Sequence, residues 1–294
     1  FIGSIYLGAW GKIPSNDELS DFEYQRASEV YTADSVLIGK YYLFDRQPVT
    51  YEDFPKHLLN ALVSIEDERF YEHSGVDYPS LLRVAFKTIL MQDESSGGGS
   101  TLTQQLAKNL YPRRERNKTN LAVNKVKEMI IASRLEGIFS KDEILTHYLN
   151  TVSFGDNTFG IESASLKFFN KQTNQLNVEE AAVLVGMLKA TYGYNPRVFP
   201  EKSKSRRDLV LQSMDNNDFL TEGEKDSLVG LSLELDYRKF DYSDGIAPYF
   251  REEVRKQLLK WSASEKEQGN EYNIYTSGLK IYTTLTPTCT PIKS

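Results

Sequence analysis

Two acidic residues at the end of an apolar segment are the first candidates for chemistry in this chain. Glu66 and Asp67 end the apolar run 62–65, and His73 follows shortly after them. A carboxyl group at the end of a buried segment suits acid/base catalysis, because burial raises the pKa of such a group toward neutrality. Acidic clusters at helix ends are more often solvated or capping groups. This segment alone therefore indicates a candidate general base and no more.

A glycine-rich segment followed by a polar helix is the second candidate. Residues 97–99 are three glycines, which do not hold one backbone conformation cheaply, so we expect residues 93–99 to form a mobile loop. Ser100 suits an N-cap, and the pattern predicts a helix to about Leu110, before Pro112. One face of that helix is polar and carries a cation: Thr101, Gln104, Gln105 and Lys108. Such a face suits an anionic ligand such as a phosphate, and the alternative is an ordinary amphipathic helix.

The elements that follow supply a third polar cluster and a scaffold. Asn124 and Lys125 precede Glu128 at a spacing that places all three on one helix face, although an ordinary surface ion pair has the same pattern. Ser140 and Glu143 predict a capping box ahead of a helix that reaches residue 150. The hydrophobic content of that helix indicates a structural role.

The order and spacing of these segments resemble the peptidoglycan glycosyltransferases, glycosyltransferase family 51, which form the polymerising module of class A penicillin-binding proteins. Five family motifs are matched in order: EDxxFxxHxG at 66–75, GxSTxTQQxxKN at 98–109, RKxxE at 124–128, KxxILxxYLN at 141–150, and RxxxVL at 206–211. The third motif departs from the family, because Asn124 replaces the usual arginine. Either a neighbouring cation (Lys127, Arg113, Arg114 or Arg116) compensates, or this chain binds diphosphate less tightly.

The resemblance implies a mainly α fold: a lysozyme-like glycosyltransferase domain with a large helical lobe and a smaller flexible jaw lobe, plus short α/β linker segments at the ends. We expect residues 1–10 to be the stub of a membrane anchor, with a buried strand as the alternative. We expect residues 11–50 to form an N-terminal arm containing a hairpin or extended segment. The resemblance implies that residues 51–232 are the glycosyltransferase domain and that residues 233–294 are a linker toward a transpeptidase domain. Ser277 and Lys280 fit S-x-x-K, but the later partners of a penicillin-binding site are missing from this sequence, so we interpret the match as fortuitous.

The resemblance also assigns chemistry. The expected reaction is the inverting polymerisation of lipid II into β-1,4-linked glycan strands with release of undecaprenyl pyrophosphate. Glu66 is the expected general base, and Glu128 is the second essential glutamate, near the donor diphosphate. The remaining expected site residues bind substrate: Asp67, Thr101, Gln104, Lys108, Asn109, Lys125 and Arg206. His73 is expected to pack and hydrogen-bond.

The expected partners are lipid II, the growing lipid-linked glycan chain, the membrane and other cell-wall synthesis proteins. No cofactor is required in this account; a divalent cation (Mg²⁺ or Mn²⁺) is compatible with it, although the sequence shows no ligand cage. The formal net charge of −6 argues against nucleic acid as a partner. One cysteine and three histidines at unrelated spacing argue against structural zinc. The expected location is the inner (cytoplasmic) membrane, with the catalytic domain on its periplasmic or extracellular face.

Three further expectations and two rival functions complete the sequence account. The apolar segment 81–91 exceeds what one core-facing stripe needs, so we expect Phe86, Ile89, Leu90 and Met91 to stay exposed and enter the membrane interface; burial against neighbouring helices is the alternative. We expect the loop at 93–99 to order over bound lipid or over a phosphoglycolipid inhibitor of the moenomycin type. We also expect cations and N–H groups at the leaving diphosphate to provide the largest catalytic effect. The rivals are a lysozyme-like hydrolase or lytic transglycosylase, and a non-enzymatic scaffold.

Overall fold

The computed structural model of the chain describes residues 2–6, 10–21, 26–42, 45–91, 99–111, 118–238 and 247–286. The helices in chain order are α1 (Ile2–Tyr6), α2 (Asn16–Ser20), α3 (Lys56–Glu66), α4 (Tyr78–Met91), α5 (Leu102–Leu110), α6 (Lys118–Ile138), α7 (Lys141–Thr151), α8 (Ile161–Phe169), α9 (Val178–Met187), α10 (Pro200–Asn216), α11 (Glu222–Val229) and α12 (Pro248–Glu267). The strands are β1 (Ser28–Tyr31), β2 (Leu37–Tyr41), β3 (Asp45–Arg46), β4 (Thr158–Phe159) and β5 (Lys280–Tyr282). Short 3₁₀ turns span Tyr51–Asp53 and Thr173–Gln175. The expected mainly α fold with a small sheet is confirmed.

The main core lies between helices that the sequence makes apolar on their inner faces. Helix α9 is buried along nearly its whole length and packs against α3 and α10, while α5 packs against α6 and α7. The predicted capping box starts α7: Ser140 accepts from the Glu143 amide, and the Glu143 carboxylate accepts from the Ser140 amide at 2.8 Å. These helices hold the sequence motifs on one shared framework.

A small sheet joins the two ends of the described chain. Strands β1 and β2 form the predicted hairpin, and β5 pairs in parallel with β1, which gives the order β2-β1-β5. The inner face of the sheet, with Val30 and Ile38, packs against α12. The arm is fastened to the helical part by Asn150 of α7, whose side chain exchanges hydrogen bonds of 3.0 and 2.8 Å with the Val49 backbone. The strand β3 adds a parallel pair with β4.

The first residues are helical, so the alternative of a buried strand at 1–10 is wrong for the described part. Ile5 is buried and α1 packs on α6. Within the described ranges, no helix combines the length and the apolar character needed to cross a bilayer. The expected membrane anchor therefore stays a prediction.

The structure corrects one local prediction and leaves others untested. Thr101, not Ser100, is the N-cap of α5, because its hydroxyl accepts from the Gln104 amide while Ser100 Oγ accepts from the Lys125 ammonium. The loop predicted at 93–99 lies, apart from Gly99, outside the described residues. The side chains on which the membrane expectation rests also lie outside the described residues: Phe86, Ile89, Leu90 and Met91. So do three of the cations proposed to compensate Asn124: Arg113, Arg114 and Arg116. Ser277 lies in a bridge with Arg26 rather than at the start of a helix.

Candidate active site

A polar cleft of about 460 Å³ is lined by residues from the first, second, third and fifth motifs. Its lining includes both candidate glutamates, Glu66 and Glu128, although they come from different helices. The remaining chemistry-bearing lining residues are Ser100, Gln104, Gln105, Lys108, Lys189 and Arg206. A carboxylate base and several cations thus face one space, which suits an anionic ligand that must lose a proton.

Glu66 is the last residue of α3 and lies half-buried at the cleft. Its Oε2 accepts a hydrogen bond of 2.9 Å from Gln105 Nε2. Within the described ranges Oε1 has no hydrogen-bond partner, so this oxygen is available to a ligand. The geometry suits a carboxylate that is held by one oxygen and takes a proton on the other.

Asp67 is buried and does not line the polar cleft. Its Oδ2 accepts from the Leu102 amide at 2.8 Å, and both carboxylate oxygens lie 3.1 Å from His73 Nε2. Leu102 is the first residue of α5, so Asp67 joins the end of α3 to the start of α5. Hydrogen bonding by Asp67 and His73 is as expected, since both belong to this buried contact. A contact between Asp67 and substrate stays a prediction.

Gly75 shows why the first motif ends in glycine. Its φ of +88° lies in the left-handed region, and an added Cβ would come within 2.7 Å of the Ala132 backbone. Its carbonyl oxygen accepts from the Thr101 hydroxyl at 2.6 Å. Thr101 is buried and also caps α5, so its hydroxyl is committed to the framework and does not reach the cleft.

Lys125 of α6 links three groups of the cleft lining. Its ammonium lies 2.8 Å from Ser100 Oγ, 2.6 Å from Gln104 Oε1 and 3.7 Å from Glu128 Oε2. The predicted sharing of one helix face by Lys125 and Glu128 is confirmed. Only 6% of Glu128 is exposed, and a buried carboxylate of this kind needs such a counter-charge. Lys125 itself is not in the lining, but all three groups that it binds are.

The cations of the lining come from two walls. Lys108 is exposed on α5, and Arg206 is half-buried on α10, with its guanidinium carbon 5.9 Å from the centre of the Tyr194 ring. Lys189 follows the end of α9 and was missed by sequence reasoning, because it belongs to none of the five motifs. Its only signal is a cation directly after a buried apolar helix. Asn109 is exposed on α5 and does not line the cleft.

Asn124 lines a neighbouring, mostly apolar cavity of about 350 Å³. Lys108 and Glu128 belong to the lining of both spaces, and Lys127 lines the second one. Of the cations proposed to compensate the missing arginine, the structure thus places Lys127 beside Asn124.

No metal-ligand set is formed by the residues that the structure describes: no three His, Cys, Asp or Glu side chains cluster in a way that could hold an ion. Glu128, the buried acidic residue of the cleft, is paired with Lys125. A divalent cation therefore stays a prediction from the resemblance.

Comparisons with known proteins agree with the motifs. The family model described as "Transglycosylase" matches residues 34–215. The chain is 36% identical over 280 residues to penicillin-binding protein 1A of Neisseria lactamica, covering 95% of this chain and 33% of that protein. It is 34% identical over 277 residues to penicillin-binding protein 1A of Escherichia coli K12, covering 94% of this chain and 31% of that protein.

A solved structure also resembles this chain. Penicillin-binding protein 1A from Haemophilus influenzae matches with a TM-score of 0.50 and 25% identity, over 91% of this chain and 28% of that one. The chain thus spans about a third of the length of the curated relatives it matches. The resemblance drawn from the five motifs is confirmed, and the chain belongs to the transglycosylase family.

Proposed function

We propose that this module is a peptidoglycan glycosyltransferase that polymerises lipid II into β-1,4-linked glycan strands. The observation that carries the proposal is the joint lining of one cleft by a carboxylate with a free oxygen, Glu66, and by cations from both walls. The family membership supplies the class of reaction, and the relatives' name, penicillin-binding protein 1A, places that reaction in cell-wall synthesis.

The reaction needs one proton acceptor. Glu66 Oε1 takes the proton of the acceptor sugar's 4-hydroxyl, whose oxygen then bonds to the anomeric carbon of the donor. The bond from that carbon to the donor diphosphate breaks, and undecaprenyl pyrophosphate leaves with the bonding electrons. Attack from the side opposite to the leaving group inverts the anomeric centre from α to β.

The leaving diphosphate accumulates negative charge, and the cations of the cleft meet it. We propose that Lys108, Arg206 and Lys189 bind its oxygens, which their shared lining of the cleft supports. Lys125 pairs with the buried Glu128 and holds Ser100 and Gln104 in position, while Glu128 itself lines the cleft near the proposed diphosphate. Preorganised charge of this kind needs no rearrangement when the bond breaks, which is why we expect it to be the largest catalytic contribution.

The substrates place the protein at a membrane. Lipid II and the growing chain carry long prenyl tails, and moving such a tail into water costs about 0.8 kcal/mol per CH₂. The cleft must therefore work beside the bilayer surface, and we propose the outer face of the cytoplasmic membrane. Lipid II, the lipid-linked glycan, the membrane and other cell-wall synthesis proteins are the proposed partners.

Polymerisation is tested directly by incubating the purified chain with lipid II in detergent or vesicles and sizing the products. The proposal expects glycan strands longer than the starting disaccharide, with release of prenyl diphosphate. A lysozyme-like hydrolase would instead shorten intact sacculi, and a non-enzymatic scaffold would bind lipid II unchanged. Either result would replace the proposed function.

A further inference from the structure

Two consecutive hydrogen bonds join a buried phenol to the proposed base. Tyr148 of α7 is fully buried, and its hydroxyl donates to Gln105 Oε1 at 3.0 Å. Gln105, on α5, donates from Nε2 to Glu66 Oε2 at 2.9 Å. Side chains of α7, α5 and α3 thus form one line of contacts, which we name the Tyr148–Gln105–Glu66 relay.

The Tyr148 phenol determines which group of Gln105 accepts a hydrogen bond and which group donates one. Burial raises the pKa of Tyr148 well above its ordinary value, and the negative charge of Glu66 adds to the rise. The hydroxyl therefore stays protonated at working pH and needs an acceptor, because a buried donor without one loses its hydration uncompensated. Gln105 meets this need with its carbonyl oxygen, so its amide N–H group faces Glu66.

An N–H donor facing Glu66 favours the ionised carboxylate, because hydrogen bonds to a charged acceptor are stronger than those to a neutral one. The relay occupies Oε2 and leaves Oε1 for the substrate. When Oε1 takes a proton, Oε2 remains an acceptor, so the same contact holds the carboxyl group before and after proton transfer.

We propose that Tyr148 and Gln105 are positioning residues for the general base, holding the Glu66 carboxylate in one orientation with Oε1 free to take the proton of the acceptor hydroxyl. The inference rests on the proposed function and deepens it. It gives a part in the reaction to Tyr148, whose segment the sequence predicted to be only scaffold.

Other charged groups share with Glu66 the lining of the polar cleft or of the pocket beside it, and they form a background common to every variant below. They are Lys108, Glu128, Lys189, Arg206, Asp67, Glu68, Arg69, Asp77 and Arg83. A change produced by one hydroxyl or one amide is measured against this constant background.

The test is the steady-state kinetics of lipid II polymerisation by the full chain and its Tyr148→Phe variant. We expect kcat to fall about 10-fold, the effect of one lost hydrogen bond, with KM changed less than about twofold. Gln105→Met should show the same split between kcat and KM, because it removes the N–H group that holds Oε2.

Tyr41→Phe is the matched control. Tyr41 is buried like Tyr148 and its hydroxyl donates to the Arg251 backbone carbonyl, but Tyr41 does not line the cleft. This variant removes an equivalent buried hydroxyl–carbonyl contact, and its kcat, KM and Glu66 resonance should equal those of the unaltered chain.

Carboxyl ¹³C NMR of the full chain separates this inference from the proposed function. The Glu66 resonance, identified by its loss in Glu66→Gln, should change its chemical shift in Tyr148→Phe and in Gln105→Met, because the group that holds Oε2 is freed or removed. If the chain makes no glycan but this change occurs, the proposed function fails and the relay stands. An unchanged Glu66 resonance and an unchanged kcat in both variants overturn the relay. An activity loss that is fully explained by a smaller folded fraction overturns it as well.

Discussion

Individual side chains decide how charge is distributed in the cleft. Lys189 is exposed just after α9 and lines the cleft together with Lys108, and no ion pair or hydrogen bond is formed by it within the described ranges. A cation left without an internal partner at a ligand cleft is available to the ligand itself. Water screens it, however, so its effect must be smaller than that of a buried charge.

Replacing Lys189 with methionine keeps the aliphatic stem and removes the charge. We expect kcat/KM for lipid II to fall about 10-fold, equivalent to ~1.4 kcal/mol of transition-state binding. Steady-state kinetics of polymerisation measures the change. Lys56→Met is the control, because Lys56 is exposed at the start of α3 and does not line the cleft. Equal effects of the two substitutions would show that Lys189 contributes only to net charge.

His147 makes the stability of the fold depend on pH. Burial lowers the pKa of His147 below its ordinary value, although the nearby Glu143 charge partly opposes the shift. The unfolded chain, with a histidine pKa of about 6.5, thus binds the proton first as the pH falls. The stabilising contribution of the neutral ring is complete above about 6.5 and is lost as pH falls toward the folded-state pKa.

The expected result is a free energy of unfolding that declines as the pH falls below about 6.5, measured by urea titration. His147→Gln should flatten that part of the curve. NMR titration of the unaltered chain should place the His147 midpoint below about 6.5, and a midpoint above that value would contradict the prediction.

At the scale of elements, the start of α5 depends on a carboxylate from the end of α3. Asp67 accepts from the Leu102 amide and from His73, both in a buried setting. Helix N-termini carry unpaired N–H groups, and an anionic acceptor there is favoured by both hydrogen bonding and the helix dipole. This contact places Gln104 and Gln105 relative to Glu66.

Asp67→Asn keeps an acceptor for the Leu102 amide but removes the charge. We expect the free energy of unfolding to fall by about 2–3 kcal/mol, because a buried charge-assisted network is broken. Asp53→Asn is the comparison, since Asp53 caps the Thr50 amide at an exposed 3₁₀ turn and should cost ~1 kcal/mol or less. Chemical denaturation measures both. An Asp67 effect no larger than the Asp53 effect would count against the role given to Asp67.

Local patterns were sufficient to predict some elements and not others. The capping box of Ser140 and Glu143 and the end of α5 near Leu110 follow from residues adjacent in sequence, so they were predictable. The pairing of β5 with β1 was not, because it joins positions about 250 residues apart and depends on α12 closing over the sheet. The hydrogen bond from the Thr101 hydroxyl to the Gly75 carbonyl oxygen was not predictable either, because no local sequence pattern indicates it.

The residues of the candidate site also fall into two groups, those that the sequence predicts and those that only the fold reveals. Residue types and motif spacing predicted Glu66, Glu128, Lys108 and Arg206, which the structure brings to one cleft. Lys189 and the contacts made by Tyr148 depend on how α9 and α7 pack, and a spacing rule does not contain that information. Their discovery required the fold.

At the scale of the whole molecule, an apolar helix face lies open to solvent. Tyr78 and Leu82 of α4 are 67% and 72% exposed, and their spacing places them on one side of the helix. Exposed apolar groups on one helix face are typical of a membrane or protein contact. The sequence predicts exposed apolar side chains in the later part of α4, and Tyr78 and Leu82 are such side chains in its described first part.

We expect the double change Tyr78→Ser with Leu82→Ser to reduce co-sedimentation with anionic vesicles while leaving the melting temperature within about 2 °C. The double change Leu209→Ser with Tyr249→Ser is the control, because it removes an exposed leucine and tyrosine from α10 and α12 instead. Unchanged vesicle binding together with a large loss of thermal stability would show that Tyr78 and Leu82 serve the core.

The most direct test of the account is glycan synthesis from lipid II by the full chain and by Glu66→Gln. Glutamine keeps the size of Glu66 and a hydrogen-bonding oxygen but cannot take the proton, and general-base catalysis contributes about 10²–10⁴-fold. We predict at least about a 100-fold loss of polymerisation with an unchanged circular dichroism spectrum and melting temperature. Turnover near that of the unaltered chain in Glu66→Gln would contradict the assignment of Glu66 as the base.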